Sequence, residues 1–447
     1  MIGGVFIIKG EYKKNSYNSY LKQYVKEEFN LDDTWLLYTD KYGESNFTTT
    51  TPIKGCKNCK YINGYPHFKI PLDICIREIK YFLENRPLYN CDVVIRYGDM
   101  HPNKPYPMLG QLRNYYTADI VKGILKTDKK DMLFTIGDIS KKTIKYFLNL
   151  IGQEHKFSQL YTDLIHGNVL NTELLNKYTT FCDESINKIN SLLTTLYFYN
   201  TNFFRESELY KEKRLYEYIK KLHYSDGINV DGEIKYFLQE FMFLLNPLFQ
   251  NKRIVNIIGQ DQSEHIKKVL KVKKDNNLEI DIIFIIYNLC KNASSRNFNE
   301  YIKEIEETIY KEDIHVNGQK IDASDFLRLY FANVGTDKAV DFEKITQKDF
   351  YIFNKIFYVL NKNFFNYYET ENERQIIYKL SLINQVYHGA LTSGNYSKII
   401  NYLYKITKDY NKINPTKRTR EIYNNVTNKV LEDFSINKTK IYKKGKF

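Results

Sequence analysis

The stretch from Cys91 to Ile124 constrains the fold of this chain most. Cys91-Asp-Val-Val-Ile-Arg-Tyr97 carries the β-branched residues of a short buried strand. Asn103-Lys-Pro-Tyr-Pro-Met-Leu-Gly-Gln-Leu-Arg113 follows as a loop rich in proline, and Leu112, Tyr116, Ile120 and Ile124 then repeat at helical spacing. Strand, loop and helix in that order set backbone N–H groups and a helix N-terminus against an anion, as in a nucleotide site. An ordinary strand-to-helix turn is the plain alternative.

Further strand candidates lie at Met132–Ile136, Ile254–Ile258 and Ile280–Ile286, separated by long helical patterns. Strands that alternate with helices predict a parallel, doubly wound sheet. The pattern between about 142 and 235 is helical and reads as an insertion between the two halves of that sheet. Before it, residues 1–90 mix short apolar runs with Gly, Thr and Pro and end in a helix-like Asp73–Glu84, as a small α+β appendage. Beyond about 340 strand signals stop. There Phe353, Ile356, Phe357 and Leu360 sit at i, i+3, i+4 and i+7, and Ile399, Tyr402, Leu403 and Ile406 repeat the spacing. The expectation is an α/β domain over 91–335 with an all-α bundle over 336–447, the aromatics of the bundle serving as core.

The balance of 66 Lys and Arg against 53 Asp and Glu gives a net charge of +13, which favours a polyanionic partner such as nucleic acid or a membrane surface. These charges are spread along the chain rather than blocked. The abundance of Lys, Asn, Ile and Tyr is also what a coding bias toward A and T produces, so part of the excess carries no function. No apolar run approaches the roughly 20 residues that cross a bilayer, and Met1-Ile-Gly-Gly-Val-Phe-Ile-Ile-Lys9 lacks the flanks of a signal peptide. A soluble, intracellular, cytoplasmic protein is expected. Six cysteines in so long a chain are no disulfide framework. Cys56-Lys-Asn-Cys59 is half of a zinc-ribbon spacing, but no second pair follows, and His67 with Cys75 is an improvised completion. Two independent thiols are expected there, with a redox pair or a structural metal as alternatives, and no tightly bound metal.

Several landmarks then fall in a familiar order. Met100-His-Pro-Asn-Lys-Pro-Tyr-Pro-Met-Leu-Gly-Gln-Leu-Arg-Asn114 resembles a segment with Ser-Pro-Asn, a Lys-Pro pair and a HIGH signature followed by Leu-Arg. Gly137-Asp138 resembles a Gly-Asp-Trp-Gly element, Phe203-Phe-Arg-Glu-Ser207 a Glu-Ser motif, and Gly227–Glu233 a segment ending in Thr-Arg-Asp. Gly259-Gln-Asp-Gln-Ser-Glu-His265 resembles a nucleotide-proximal turn, and Asp325-Phe-Leu-Arg-Leu-Tyr330 with Val340-Asp-Phe342 resembles the opening of an anticodon-binding (DALR) bundle. Together, from about residue 55 to the C-terminus, the chain resembles the arginyl-tRNA synthetases of class I.

That resemblance implies a Rossmann-like catalytic domain, ATP with Mg²⁺, arginine, and tRNA as acceptor. Its catalytic positions fall on Lys104, Gly110, Gln111 and Arg296. The ATP contacts fall on Met108, Gly110, Gly259, Asp261, Gln262, His265, Ser294 and Ser295, and the arginine contacts on Asn103, Glu206, Asn229 and Glu233. Two acids suit a guanidinium because carboxylates bind it in bidentate fashion. The cluster Lys417, Arg418 and Arg420 is the candidate tRNA contact.

Departures from the pattern concentrate at the nucleotide. The two HIGH histidines, which stabilise charge in the transition state, fall on Met108, or Pro107 with one residue inserted, and on Gln111. Of these side chains only Gln111 donates a hydrogen bond. The Lys-Met-Ser-Lys signature falls on Asn292-Ala-Ser-Ser-Arg296 without either lysine, while Lys104 occupies the upstream lysine position that some members use instead. Two readings follow: an arginine–tRNA ligase, or a synthetase-derived protein without adenylation that binds tRNA, another RNA or a protein complex. Ligation of arginine to an acceptor other than tRNA is a third.

Overall fold

The structure is a computed structural model that describes residues 19–32, 34–40, 45–85, 92–166, 171–199, 201–224, 233–288, 290, 298–362 and 369–436, the side chains of residues 166, 233–236 and 343 apart. The N-terminal region begins with α1 (Tyr20–Phe29), whose first turn is capped by the Ser19 side chain. Strands β1 (Leu36–Tyr38), β2 (Phe47–Thr49), β3 (Lys60–Ile62) and β4 (Tyr65–Phe68) form an antiparallel sheet of order β1-β2-β4-β3. Asn63 and Gly64, at φ of 54° and 83°, make the tight β3–β4 turn, which needs two residues with positive φ. Helix α2 (Leu72–Glu84) closes this region on the span expected from periodicity.

Next come β5 (Val93–Met100), α3 (Leu109–Leu125), β6 (Met132–Ile136), α4 (Lys141–Leu150), α5 (Phe157–His166), α6 (Thr172–Thr195), β7 (Phe203–Arg205), α7 (Lys213–Ile219), α8 (Glu233–Leu244), β8 (Arg253–Gly259), α9 (Ser263–Asp275) and β9 (Ile282–Tyr287). Strands β5 to β9 form one parallel sheet of order β7-β6-β5-β8-β9, the doubly wound arrangement expected. One element departs from expectation: β7 lies inside the block read as helical. It is three residues long at the sheet edge, too short for an alternating pattern to register.

After α10 (Phe298–Lys311), the hairpin β10 (His315–Val316) and β11 (Gln319–Lys320) precedes α11 (Ala323–Asn333). The bundle then comprises α12 (Tyr351–Leu360), α13 (Glu371–Ser381), α14 (Ile383–Ser393), α15 (Ser397–Tyr410) and α16 (Lys417–Asp433). One continuous hydrophobic core runs from the N-terminal region through α3 and one face of the parallel sheet into the bundle. A second fills the other face beneath α8 and α9, and α4, α5 and α6 share a small cluster of their own.

Cys56 and Cys59 correct the reading of independent thiols, for they are paired as a disulfide with Cα atoms 6.0 Å apart. Gly55 and Asn58, both at positive φ, fold the intervening loop tightly enough to bring the two together. Cys75, Cys182 and Cys290 are free and buried. Among the described residues no group of three or more His, Cys, Asp or Glu could hold a metal, and no helix is long and apolar enough to cross a membrane.

Candidate active site

The order of the parallel sheet reverses between β5 and β8, and ligands of such sheets bind outside the strand C-termini at that point. Here the strands also part. β5 pairs with β8 only from Val93↔Arg253 to Arg96↔Asn256. Yet β5 continues beside β6 to Met100↔Ile136, and β8 beside β9 to Gly259↔Tyr287. The result is a crevice, bent open on the β5 side by Gly98 and Asp99, at φ of 99° and 69°.

The loop from His101 to Met108 joins β5 to α3 and is held by three hydrogen-bonding contacts on its β6 side. Asn103 accepts a hydrogen bond from Thr143 at 3.1 Å, Ser185 on α6 donates to the Pro102 carbonyl at 3.0 Å, and His101 Nδ1 lies 3.1 Å from the Gly137 carbonyl. Lys104 stands exposed on this loop. Helix α3 starts directly after it, with Met108 as its N-cap and Gly110 in its first turn. A Cβ at Gly110 would meet nothing within 4 Å, so the first turn of α3 is open on that side. The first N–H groups of the helix have no intrahelical acceptor, a setting suited to a phosphate.

Gln111 does not reach outward as its alignment with a histidine implied. Its Oε1 accepts the Met108 N–H at 2.8 Å and its Nε2 donates to the Asp99 carbonyl at 2.9 Å. The side chain therefore caps its own helix and ties it to the bend of β5.

Across the crevice, Gly259 ends β8 and begins the turn Gln260–Gln262. The Asp261 carboxylate folds back so closely that a Cβ at Gly259 would lie 2.4 Å from it, so a side chain there would have to displace that exposed carboxylate. Gln262 donates to Asp261 at 3.1 Å, and both are exposed. His265, on the first turn of α9, packs its ring on Phe237 at 5.0 Å.

Beside the crevice lies a cluster of acidic side chains. Glu206 follows β7 and is buried. Asp138, after β6, fixes that segment by accepting both the Ser207 N–H at 2.9 Å and the Ser207 hydroxyl at 2.5 Å. Gln239 on α8 donates to Glu206 at a long 3.5 Å. The nearby cation, Arg96 on β5, is committed elsewhere. Its guanidinium bonds Glu240 at 2.6 Å and stacks on the Phe243 ring at 4.5 Å, while Asn256 donates to the second Glu240 oxygen at 3.3 Å. Burial first, then the charge of Asp99, pushes the Glu206 carboxyl up to about 8, and Arg96 only partly offsets them. Burial also raises Asp138, against the lowering effect of its bonds to Ser207. A carboxyl raised in this way is ionised only at a cost, which a cation beside it reduces.

The sheet thus gathers Asn103, Lys104, Met108, Gly110, Gln111 and Glu206 around one loop and crevice. Asn229, Ser294, Ser295 and Arg296 lie outside the described residues. Glu233 starts α8, its side chain likewise outside them. Lys417, Arg418 and Arg420 sit in the first turn of α16 in the bundle, Lys417 and Arg418 exposed. Sequence reading missed Arg96, Asp99, Gln239 and Glu240. Glu240 had a usable signal, because it stands seven residues after Glu233 and shares its helix face.

A parallel sheet split at its switch point, with a helix end over the split and a helical bundle appended, is the fold of the class I aminoacyl-tRNA synthetases. The chain shares the fold of the arginyl-tRNA synthetases. It is similar to the arginyl-tRNA synthetase of Plasmodium falciparum, with a TM-score of 0.62 and 12% identity, over 95% of this chain and 96% of that one. It is also similar to the Thermus thermophilus arginyl-tRNA synthetase, with a TM-score of 0.59 and 12% identity, over 93% of this chain and 96% of that one. No family model matches the sequence. No curated protein matches it.

Proposed function

We propose that this protein activates arginine with ATP and transfers it to the 3′ end of a tRNA. The observation that carries the reading is the buried Glu206 carboxyl, ringed by Asp99, Asp138 and Glu240, beside the open first turn of α3. The cluster suits a guanidinium, for which Glu206 and Glu233 serve as acids and Asn103 and Asn229 as polar contacts. In the crevice, the first-turn N–H groups of α3 and the Gly259 turn hold the nucleotide, with Asp261, Gln262 and His265 on its far wall. Lys104, and Arg296 with Ser294 and Ser295, supply the phosphate contacts that the altered signatures lack, and Mg²⁺ accompanies ATP. The arginine carboxylate attacks the α-phosphorus and pyrophosphate leaves. The tRNA hydroxyl then attacks the acyl carbon and AMP leaves. In this reading 91–335 is the catalytic unit, 1–90 and 336–447 hold the tRNA, and Lys417, Arg418 and Arg420 contact its phosphates.

One observation favours a second reading. Gln111 is tied to Met108 and Asp99, and Met108 and Pro107 offer no side-chain donor, so the helix end lacks the side chains that stabilise adenylation. A protein of this kind binds RNA, or a protein complex, without ligation. Arginine-dependent exchange of pyrophosphate into ATP, measured with and without tRNA, separates the two. Exchange in either condition supports the ligase. Its absence in both, with tRNA binding intact, overturns ligation and leaves the binding role.

A further inference from the structure

The parting of β5 and β8 is not left to the strands themselves. Beyond the rung Arg96↔Asn256 both strands run on beside their outer neighbours, β8 in register with β9 and β5 through a bulge against β6 between Gly98 and Met100. At that point the side chain of Asn114, one turn into α3 and only 3% exposed, enters between them. Its Oδ1 accepts the Gly98 N–H at 2.9 Å and its Nδ2 donates to the Ile257 carbonyl at 2.7 Å. The Tyr287 side chain of β9 lies against the same amide. One planar amide thus takes the place of the next strand-to-strand rung. It satisfies both strands while holding them an amide's width apart.

We propose that Asn114 is the spacer that keeps the β5–β8 crevice open and sets its affinity for a nucleotide. The planar amide has the required chemistry, an acceptor facing one strand and a donor facing the other. It also fixes α3 in place, because Gly110, with open space around it, lies on the turn just before it. Without the amide the strands either close onto one another or leave a buried N–H and a buried carbonyl unpaired. Either outcome spoils the crevice. An aspartate of the same shape still accepts from Gly98 but turns an acceptor toward the Ile257 carbonyl. Asn114 acts through the backbone it positions and touches no reacting atom.

This inference rests on the reading that the crevice takes a nucleotide, so the test separates the two. ATP and arginine are each titrated calorimetrically into the wild-type chain, Asn114→Ala, Asn114→Asp and Ile124→Val, the last a fully buried core change at the far end of the same helix. Amide hydrogen exchange at Gly98 is followed in parallel. The expected result is ATP affinity lowered by about tenfold or more in both Asn114 variants, with arginine affinity within about twofold of wild type. Ile124→Val, although its melting temperature falls, keeps wild-type ATP affinity. Undiminished ATP binding by Asn114→Ala overturns the spacer, as does an equal loss in Ile124→Val. A wild-type chain that binds no ATP overturns the nucleotide reading, and exchange then decides the spacer alone. A Gly98 amide protected in wild type and exchanging in Asn114→Ala supports it, and equal protection in both overturns it.

Discussion

Glu206 shows how one residue ties a substrate to pH. In the folded chain its carboxyl is raised from the ordinary 4.5 to about 8, by burial first and by Asp99 next. The unfolded chain loses this proton near the ordinary value, and the folded chain keeps it until about pH 8. The stability it contributes is therefore fully present below about pH 4.5 and is lost as pH rises toward 8. A cationic ligand needs the ionised form, so binding must displace the proton. Arginine affinity is expected to rise by up to about tenfold per pH unit between roughly 6 and 8 and then to level off. Glu206→Gln, which cannot ionise, should bind arginine weakly and without that slope. Calorimetric titrations across this range in buffers of different ionisation enthalpy count the proton released. A flat pH profile for the wild-type chain would refute the assignment of Glu206 as the cation acceptor.

Helix α3 is the element on which the rest is hung, and it was only half legible in the sequence. Its apolar stripe announced a helix, and the strand before it announced the loop, because both depend on local periodicity. What the stripe hid is that α3 is buried on nearly every side, its polar residues included. Arg113 donates to the Asn288 carbonyl at 2.6 Å and the Gly335 carbonyl at 2.9 Å, and Asp119 pairs with Arg328 at 2.7 Å. These partners lie more than 170 positions away in the chain, so no local pattern could expose them. The acidic cluster was legible at Glu206 only through its neighbours in the Glu-Ser motif. Arg96 and Glu240 stayed hidden because their pairing is a product of the fold. Gly123 is another such place. A Cβ there would lie 1.8 Å from the Asp433 carbonyl oxygen, so the backbone of α3 passes directly against the end of α16. Gly123→Ala must drive the two helices apart and should cost about 1–3 kcal/mol or more. Gly110→Ala on the same helix, with open space around it, should leave stability unchanged or slightly raised. Urea denaturation of the two variants checks the contrast, and equal stability for both would contradict the packing described.

At the scale of the whole molecule, the N-terminal region, the sheet and the bundle share one core, and the seam between the first and last of these carries polar bonds as well. The Leu36 N–H donates to Gln385 at 2.8 Å, and Gln385 donates back to the Leu36 carbonyl at 2.9 Å. Buried Glu78 accepts from the Leu21 N–H and from Asn384, both at 3.0 Å, while Tyr38 stacks on Tyr378. The single tryptophan of the chain, Trp35, lies on this seam with its ring 5.7 Å from His388 and packed over Gly389. Its fluorescence therefore reports on the junction, whereas far-ultraviolet circular dichroism reports on the helices throughout. A shared core makes separate melting of the N-terminal region costly, since its apolar face would be left in water. The two signals should follow one urea transition. Gln385→Ala leaves both Leu36 backbone groups unpaired, and should lower the midpoint of both signals together by an amount equivalent to about 1–3 kcal/mol. A tryptophan transition that precedes the dichroism change, or that alone responds to Gln385→Ala, would show that the first stretch of the chain folds independently of the bundle it touches.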